Sequence, residues 1–453
     1  MTTQEELTQR IDQGFDAELA FLTDLVKIQS ISSDPSKVGE VFRSAEFVRD
    51  SFASLGLDAG VRTAPMANGE EGRPAVIARS VHDPRKPTVL LYAHHDVQPV
   101  GDVTRWSSDP FVTEIRDGRI YGRGTSDDGA GVVVHLAALK AFDGQLPVNV
   151  VVYVEGEEEV GSPSFKNFLE KHRDLLEADV IIVADSGNWT TDIPAITSSL
   201  RGVSSVDVTV RVLQHAVHSG MFGGPVLDAV TIASRLIATL HDEDGDVAVP
   251  GLGGNAVAEV DWSEDEYRRD ASVVDGYRLA GTADLAAQVW TMPAISVIGM
   301  DVTAVEDSAN AIIPQCKFRL SMRTVPGVST GDSLKALTEH LINNVPFGAE
   351  ISVSVAEEGS SYTANLGSVE AGMLREALTS AYGVEAVAIG QGGSIPFIAE
   401  FERAFPEATV LVTGVEDPST NAHSEDESQS LSVLRNATLA EAVLLNELGR
   451  AGD

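Results

Sequence analysis

The sequence holds a single cysteine, Cys316, so no disulfide can form within the chain and nothing points to an oxidising compartment. It lies in the apolar run AIIPQCKFRL and is expected in a core. Positive charge is scarce too: 32 lysines and arginines stand against 68 aspartates and glutamates, a formal net charge of −36. That balance argues against nucleic acid as a general partner and against an anionic membrane surface, because both require a basic face. So acidic a chain reads first as a solvated coat that favours solubility. No apolar run is long enough to span a bilayer, and the opening MTTQEELTQRIDQGF lacks the basic start and apolar stretch of a secretory signal. Cytoplasm is the expected compartment.

The chain has 453 residues, 43% of them hydrophobic and 22% charged, as in ordinary soluble proteins. At roughly 100–200 residues per domain this predicts two or three domains. TVLLYA (88–93), LPVNVVVYVE (146–155) and ADVIIVAD (178–185) are apolar runs without alternation, as in strands covered on both faces. Helical segments follow Gly129 and Ser164, so the pattern is α/β. Each apolar run ends in histidine or acidic residues, and in open α/β sheets ligands collect at the carboxyl ends of strands.

After SSLRG the pattern changes. SSVDVTVRV (204–212), CKFRLSMRTV and AEISVSVAE alternate polar and apolar residues, interleaved with helices carrying Ala229, Ala233, Leu236 and Leu240 and spanning about 331–345. This predicts a smaller α+β domain over 200–360, inserted between two parts of one domain, 1–199 and 361–453. Residues 242–290 carry no pattern that assigns an element. From about 367 the α/β texture resumes: a helix with Leu374, Ala377, Leu378 and Ala381 closed by Gly383, two covered strands at VAIG and TVLVTG, and a last helix with Val433, Ala437, Ala440, Leu444 and Leu448 on one face.

Five clusters gather metal-ligating residue types. In AHHDV (93–97), His94 and Asp96 share a face if the strand continues; alone, the motif reads equally as a capped strand end. GRGTSDDG (122–129) presents Asp127 and Asp128 before a helix, where paired carboxylates also suit the helix dipole. EGEEEVGS (155–162) ends a strand in three glutamates, which repel one another unless a cation neutralises them or they diverge into water. Asp185 ends the next strand, and NAHSEDE (421–427) supplies His423, which alone reads as a surface histidine. Together, two histidines and several carboxylates suit zinc or manganese rather than the all-oxygen shell of calcium. The surplus of carboxylates fits two ions about 3.5–4 Å apart sharing one of them.

AHHDVQP, GRGTSDDG, EGEEEVGS, Asp185, HSGMFGG, GGSIP and NAHSEDE occur in an order that resembles the co-catalytic metallopeptidase family of carnosinase-type dipeptidases, aminoacylases, acetylornithine deacetylases and succinyl-diaminopimelate desuccinylases. The resemblance runs from about residue 90 to 427 and is nearest the dipeptidase branch, with Asp185 rather than a glutamate as its main sign. It implies a mostly parallel sheet flanked by helices, with the inserted domain as lid and dimerisation domain. It also implies two divalent ions per subunit, zinc first, with manganese or cobalt as alternatives. His94, Asp127 and Asp185 would hold one ion and Asp127, Glu159 and His423 the other, while Asp96 would orient His94. Glu158 would be the general base, taking a proton from a bridging water and passing it to the leaving amine. Strand alternation would turn Glu158 and Glu159 to opposite sides.

By the same resemblance, His218 in HSGMFGG would reach a partner subunit's site in a homodimer and stabilise the developing oxyanion. Arg323 and the glycine turn at Gly393 and Ser394 would grip a substrate carboxylate, with Asn310 nearby. His95 alternates to the other face and is left out. Three positions depart from the family pattern: Gly129 replaces a frequent lysine, Gln391 a glutamate and Asp426 an asparagine. The expected protein is a cytoplasmic, dinuclear metallo-dipeptidase acting on small peptides. The alternatives are an N-acyl amino acid deacylase of the same family and a catalytically silent metal-binding homologue. A two-metal phosphoesterase would need clustered basic groups near the motifs, which the sequence lacks.

Overall fold

The computed structural model describes residues 2–393 and 396–451. The chain divides into two compact units, one of Met1–Ser198, Ala364–Ala388 and Pro396–Asp453, the other of Ser199–Thr363 and Ile389–Ile395. Among the described residues no helix is long and apolar enough to cross a membrane.

The first unit is built on a six-stranded sheet in the order Asp58–Arg62, Ala75–Arg79, Asn149–Glu155, Thr88–His94, Val180–Val183, Thr409–Val412. The last four strands run parallel, and the first two pair antiparallel at one edge. The unbroken apolar runs form the central strands, and Asn149–Glu155 is buried along its whole length. VAIG forms a largely buried strand, as its sequence reads. Its strand, Val387–Gln391, pairs in a separate three-stranded sheet, because four to six apolar residues specify a covered strand but not its neighbour.

Helix Gly129–Lys140 is apolar on every side and buried from Gly129 to Leu139, as a helix must be when covered all round. It packs against strand Thr88–His94 and against helices Gln4–Val26 and Leu431–Ala451. Its one buried polar group, His135, sets Nδ1 2.8 Å from a Glu441 oxygen and Nε2 2.9 Å from the Tyr92 carbonyl. At Gly131 a Cβ would stand 2.2 Å from Asp128 Oδ1 and 2.7 Å from the Ala184 carbonyl. Glycine there lets the start of the helix lie against the strand end that leads to Asp185.

The second unit holds a four-stranded antiparallel sheet, ordered Ala294–Asp301, Gln315–Thr324, Gly202–Arg211, Glu350–Gly359. The predicted alternation is its organising feature: Val206, Val208 and Val210 pair with Leu320, Phe318 and Cys316. All six are buried in one cluster with residues of helices Ala229–Ile237 and Thr330–Asn344. The unassigned stretch 242–290 contains two short helices, Glu264–Asp270 and Leu285–Trp290. Edge strand Ala294–Asp301 was not legible in the sequence, and it leaves Val297 and Ile298 exposed.

At the carboxyl end of the central strands, Tyr92 Oη donates a 2.8 Å hydrogen bond to Glu155 Oε2, while Oε1 has no hydrogen-bond partner among the described residues. Burial pushes the Glu155 carboxyl up to about 8. The folded state therefore holds a proton that the unfolded chain releases near pH 4.5, and stability falls as pH rises from about 4.5 to about 8. Glu155→Gln removes this dependence. Denaturant unfolding at pH 8 will show the variant more stable by on the order of 1–3 kcal/mol, with little difference at pH 4.5.

Candidate metal centre

His94 is the last residue of its strand and is fully buried. Its Nε2 lies 2.9 Å from Asp127 Oδ1, and Asp127 Oδ2 lies 2.9 Å from Nε2 of His423. One carboxylate therefore stands between two imidazoles contributed by segments more than 300 residues apart. The His423 ring is also 3.1 Å from Glu159 Oε2, which accepts a 2.7 Å hydrogen bond from Gln98.

Ligand atoms fall into two groups, each within 4.8 Å: His94, Asp128 and Asp185, and Asp127, Glu159 and His423. Asp128 joins the first group by proximity although the sequence pattern points to Asp127. Its oxygens already accept from the backbone N–H groups of His94, at 3.1 Å, and Gly131, at 3.0 Å. The peptide between Asp127 and Asp128 is cis.

Asp96 acts differently from a simple alternation partner. The strand stops at His94, and the chain bends so that the Asp96 carbonyl lies 3.0 Å and its Oδ1 3.4 Å from His94 Nδ1. The same carboxylate accepts the backbone N–H groups of Glu158 and Glu159, at 3.2 and 3.1 Å. One aspartate thus ties the histidine motif to the glutamate motif.

Strand alternation was expected to turn Glu158 and Glu159 apart, but neither lies on a strand. Strand Asn149–Glu155 ends before them, and Glu158–Val160 forms a 3-10 turn. The turn, not the pleat, sets their different directions. The first glutamate of the run, Glu157, is buried and accepts from Arg73 N and Ser164 N. His95 packs away from the site, with Nε2 2.9 Å from the Pro74 carbonyl.

The loop that carries His423 takes left-handed φ at Asn421, His423 and Asp426, a conformation that costs non-glycine residues energy. Side chains hold it. Asp426 accepts from Ser107 N and Oγ, at 2.8 and 2.6 Å. Glu427, fully buried, takes Arg123 Nη1 at 2.6 Å and the N–H groups of Gly124, Ser126 and Asp127 at 3.0–3.1 Å. Glu427 was missed as a functional residue; its only signal is its place four residues after His423. Glu416, which bridges to Gly187 after strand Thr409–Val412, is a further carboxyl near Asp127 and Asp185, held well above the usual carboxylate range by burial and then by their charges, and it carried no motif signal.

Electrostatics test whether these residues fit cations. Burial, reinforced by Asp127, pushes Glu159 up to about 7. Burial also pushes Asp185 up to about 6. Glu158 is held well above the carboxylate range by burial and then by the charge of Asp185. Asp127 stays low despite burial because both histidines donate to it, and His423 is raised to about 11 mainly by Asp127 and Glu159. Protons on two histidines offset the crowded carboxylates here. Divalent ions would offset them better, and the mixed nitrogen and oxygen donors suit transition metals.

In the second unit, a two-residue ribbon pairs His218 with Ala311, and the Ser219 N–H donates to the Asn310 carbonyl at 3.0 Å, so His218 and Asn310 are neighbours. His218 is exposed, with Nδ1 capping Gly220 N at 3.0 Å. Arg323 and Gly393 also lie in this unit; Ser394 lies outside the described residues.

A match to peptidase family M20/M25/M40 spans residues 90–447. The chain belongs to this family. The resemblance read from the ordered motifs is correct at that level, and the protein is a hydrolase of peptide bonds. The M20/M25/M40 chain is 32% identical over 436 residues to the cysteinylglycine-S-conjugate dipeptidase of Corynebacterium striatum, covering 95% of each. It is 28% identical over 447 residues to the beta-Ala-His dipeptidase of Homo sapiens, covering 93% of this chain and 88% of that one. Human carnosine dipeptidase 1 superposes with a TM-score of 0.74 at 26% identity, covering 99% of both chains. The dipeptidase Dug1p of Saccharomyces cerevisiae has the same fold, with a TM-score of 0.77 at 22% identity and 99% coverage of both.

Glu427→Ala will leave Arg123 buried without a counter-charge and free three backbone N–H groups of the Asp127 loop. Unfolding in denaturant should show a loss of about 3–5 kcal/mol; a loss below about 1 kcal/mol would contradict this account.

Proposed function

We propose that the protein is a metal-dependent dipeptidase that cleaves small peptides with a free C-terminal carboxylate. The observation that carries this reading is the Asp127 carboxylate set between His94 and His423, with Glu159 on one side and Asp185 on the other. Relatives along nearly the whole chain are dipeptidases, which favours dipeptides over N-acyl amino acids.

His94, Asp127 and Asp185 would hold one divalent ion and Asp127, Glu159 and His423 the other, zinc first and manganese or cobalt as alternatives. Bound there, the ions supply electrophilic polarisation of the scissile carbonyl and acidify water. Glu158 takes the proton and returns it to the leaving amine. Its backbone N–H is held by Asp96, and its raised affinity for a proton suits a group that accepts and then donates near neutral pH. Asp96 keeps the His94 ring oriented and Glu427 keeps the Asp127 loop in place.

His218 acts on the oxyanion from the second subunit of a homodimer, with Asn310 beside it. The second unit offers a surface for that dimer: edge strand Ala294–Asp301 has unpaired backbone groups along one side and exposes Val297 and Ile298. Light scattering should give twice the chain mass, and a charged residue at Ile298 should halve it; a monomeric wild type would remove the role given to His218.

Glu158→Gln will keep two ions per chain by elemental analysis while kcat for a free dipeptide falls about 10²–10⁴-fold. Near-normal turnover in that variant would remove Glu158 as the base. A panel of free dipeptides and N-acetyl amino acids, assayed with zinc-reconstituted protein, separates the activities. Turnover of the N-acyl compounds alone would move the protein to the deacylases, and no turnover with both ions bound would make it a silent homologue.

A further inference from the structure

Arg201 follows the last residue of strand Ala195–Leu200 and is only 7% exposed. Its Nη1 donates to the carbonyls of Gln288 and Met292, at 3.2 and 3.3 Å, and its Nε to the carbonyl of Gly392 at 3.4 Å. Among the described residues no carboxylate pairs with it. Carbonyl oxygens satisfy N–H groups but cancel no charge. Buried cations are ordinarily paired, and this one is not.

A second cation stands close by. In the sheet register Thr324 faces Gly202 and Arg323 faces Val203, so Arg323 stands beside the point where Arg201 enters the strand, close enough for its charge to act on Arg201. Burial, and then the charge of Arg323, lowers the pKa of Arg201 to about 10. Arg323 is half-buried and, among the described residues, has neither a hydrogen-bond partner nor a carboxylate. In a chain with 68 acidic side chains, two neighbouring arginines without one acidic partner form a local positive well.

Arg201 also anchors a turn. A Cβ on Gly392 would meet Arg201 Nη2 at 3.0 Å and Val289 at 3.2 Å, so the absence of a side chain lets the Gly392–Gly393 backbone lie on the guanidinium. One side chain thereby joins the end of helix Leu285–Trp290 to the glycine turn.

We infer that Arg201 is a positioning residue of the carboxylate subsite headed by Arg323. It fixes the Gly392–Gly393 turn and adds an unpaired positive charge that favours a bound carboxylate. This inference rests on the dipeptidase reading for the source of that carboxylate: the C-terminus of the peptide.

The test is calorimetric titration of the zinc-loaded protein with a dipeptide analogue whose peptide bond is reduced to a methylene-amine, as the free acid and as the C-terminal amide. For Arg201→Gln the free acid should bind about tenfold more weakly while the amide changes less than about twofold. Arg201→Lys, which keeps the charge and loses the planar fork, should fall between. In hydrolysis of a free dipeptide the same variants should raise KM and leave kcat within about twofold. Equal weakening of acid and amide would mean a merely structural role and overturn the inference. If Arg201→Gln does not fold, judged by circular dichroism, Arg201→Lys is read by the same comparison. A wild type that hydrolyses no dipeptide would defeat the dipeptidase reading alone. The subsite would then stand or fall on whether wild-type protein prefers the acid analogue to the amide.

Discussion

Asp127 shares its two oxygens between His94 and His423, each at 2.9 Å, and much of the first unit is arranged around that carboxylate. Asp127, Asp128, Glu158, Glu159 and Asp185 all collect at the carboxyl ends of buried parallel strands, where few waters screen one charge from the next. So many neighbouring carboxyls stay ionised only with positive charge among them; otherwise some hold their protons. Histidine protons meet that need in part, and two divalent ions meet it with the donor types present. The constraint explains why the site needs rigid loops, since a carboxylate free to swing away would relieve the repulsion and lose the geometry.

Rigidity comes from side chains that bind backbone rather than from the candidate metal-ligating residues themselves. Glu427 gathers three N–H groups of the Asp127 loop and neutralises buried Arg123, while Asp96 does the same for the Glu158–Glu159 turn. Removing either group would leave buried donors without acceptors, which costs more than a lost bond in water. Ligands distant in sequence therefore move as one body. Gly131 contributes by absence, because only a residue without Cβ lets the helix start lie against the end of the neighbouring strand.

The second unit solves a different electrostatic problem. Its sheet is dry on one face, where Val206, Val208, Val210, Phe318 and Leu320 pack under two helices, and polar on the other, where Asp207 pairs with Lys317 and Arg319. Those exposed pairs add little stability, as screened surface ion pairs usually do. Arg201 and Arg323 differ because, among the described residues, no carboxylate pairs with them. The first unit thus gathers carboxylates around two histidines, while the second holds two neighbouring arginines with no carboxylate partner among the described residues.

By itself the sequence determined the character of most elements and the content of the site. Unbroken apolar runs marked Thr88–His94 and Asn149–Glu155 as covered strands, alternation marked Gly202–Arg211 and Gln315–Thr324 as one-sided ones, and ordered short motifs named the family and the candidate metal-ligating residues. Those features are local, because side-chain periodicity and turn chemistry act over a few residues. Only the tertiary structure decided that Val387–Gln391 leaves the main sheet, that Ala294–Asp301 forms an exposed edge and that a 3-10 turn directs Glu158 and Glu159. It alone showed Glu427 beneath the Asp127 loop and Arg201 beneath the glycine turn. The physical reason is that a buried polar group is defined by its partners, and for these two residues the partners lie about 300 and 190 positions away along the chain.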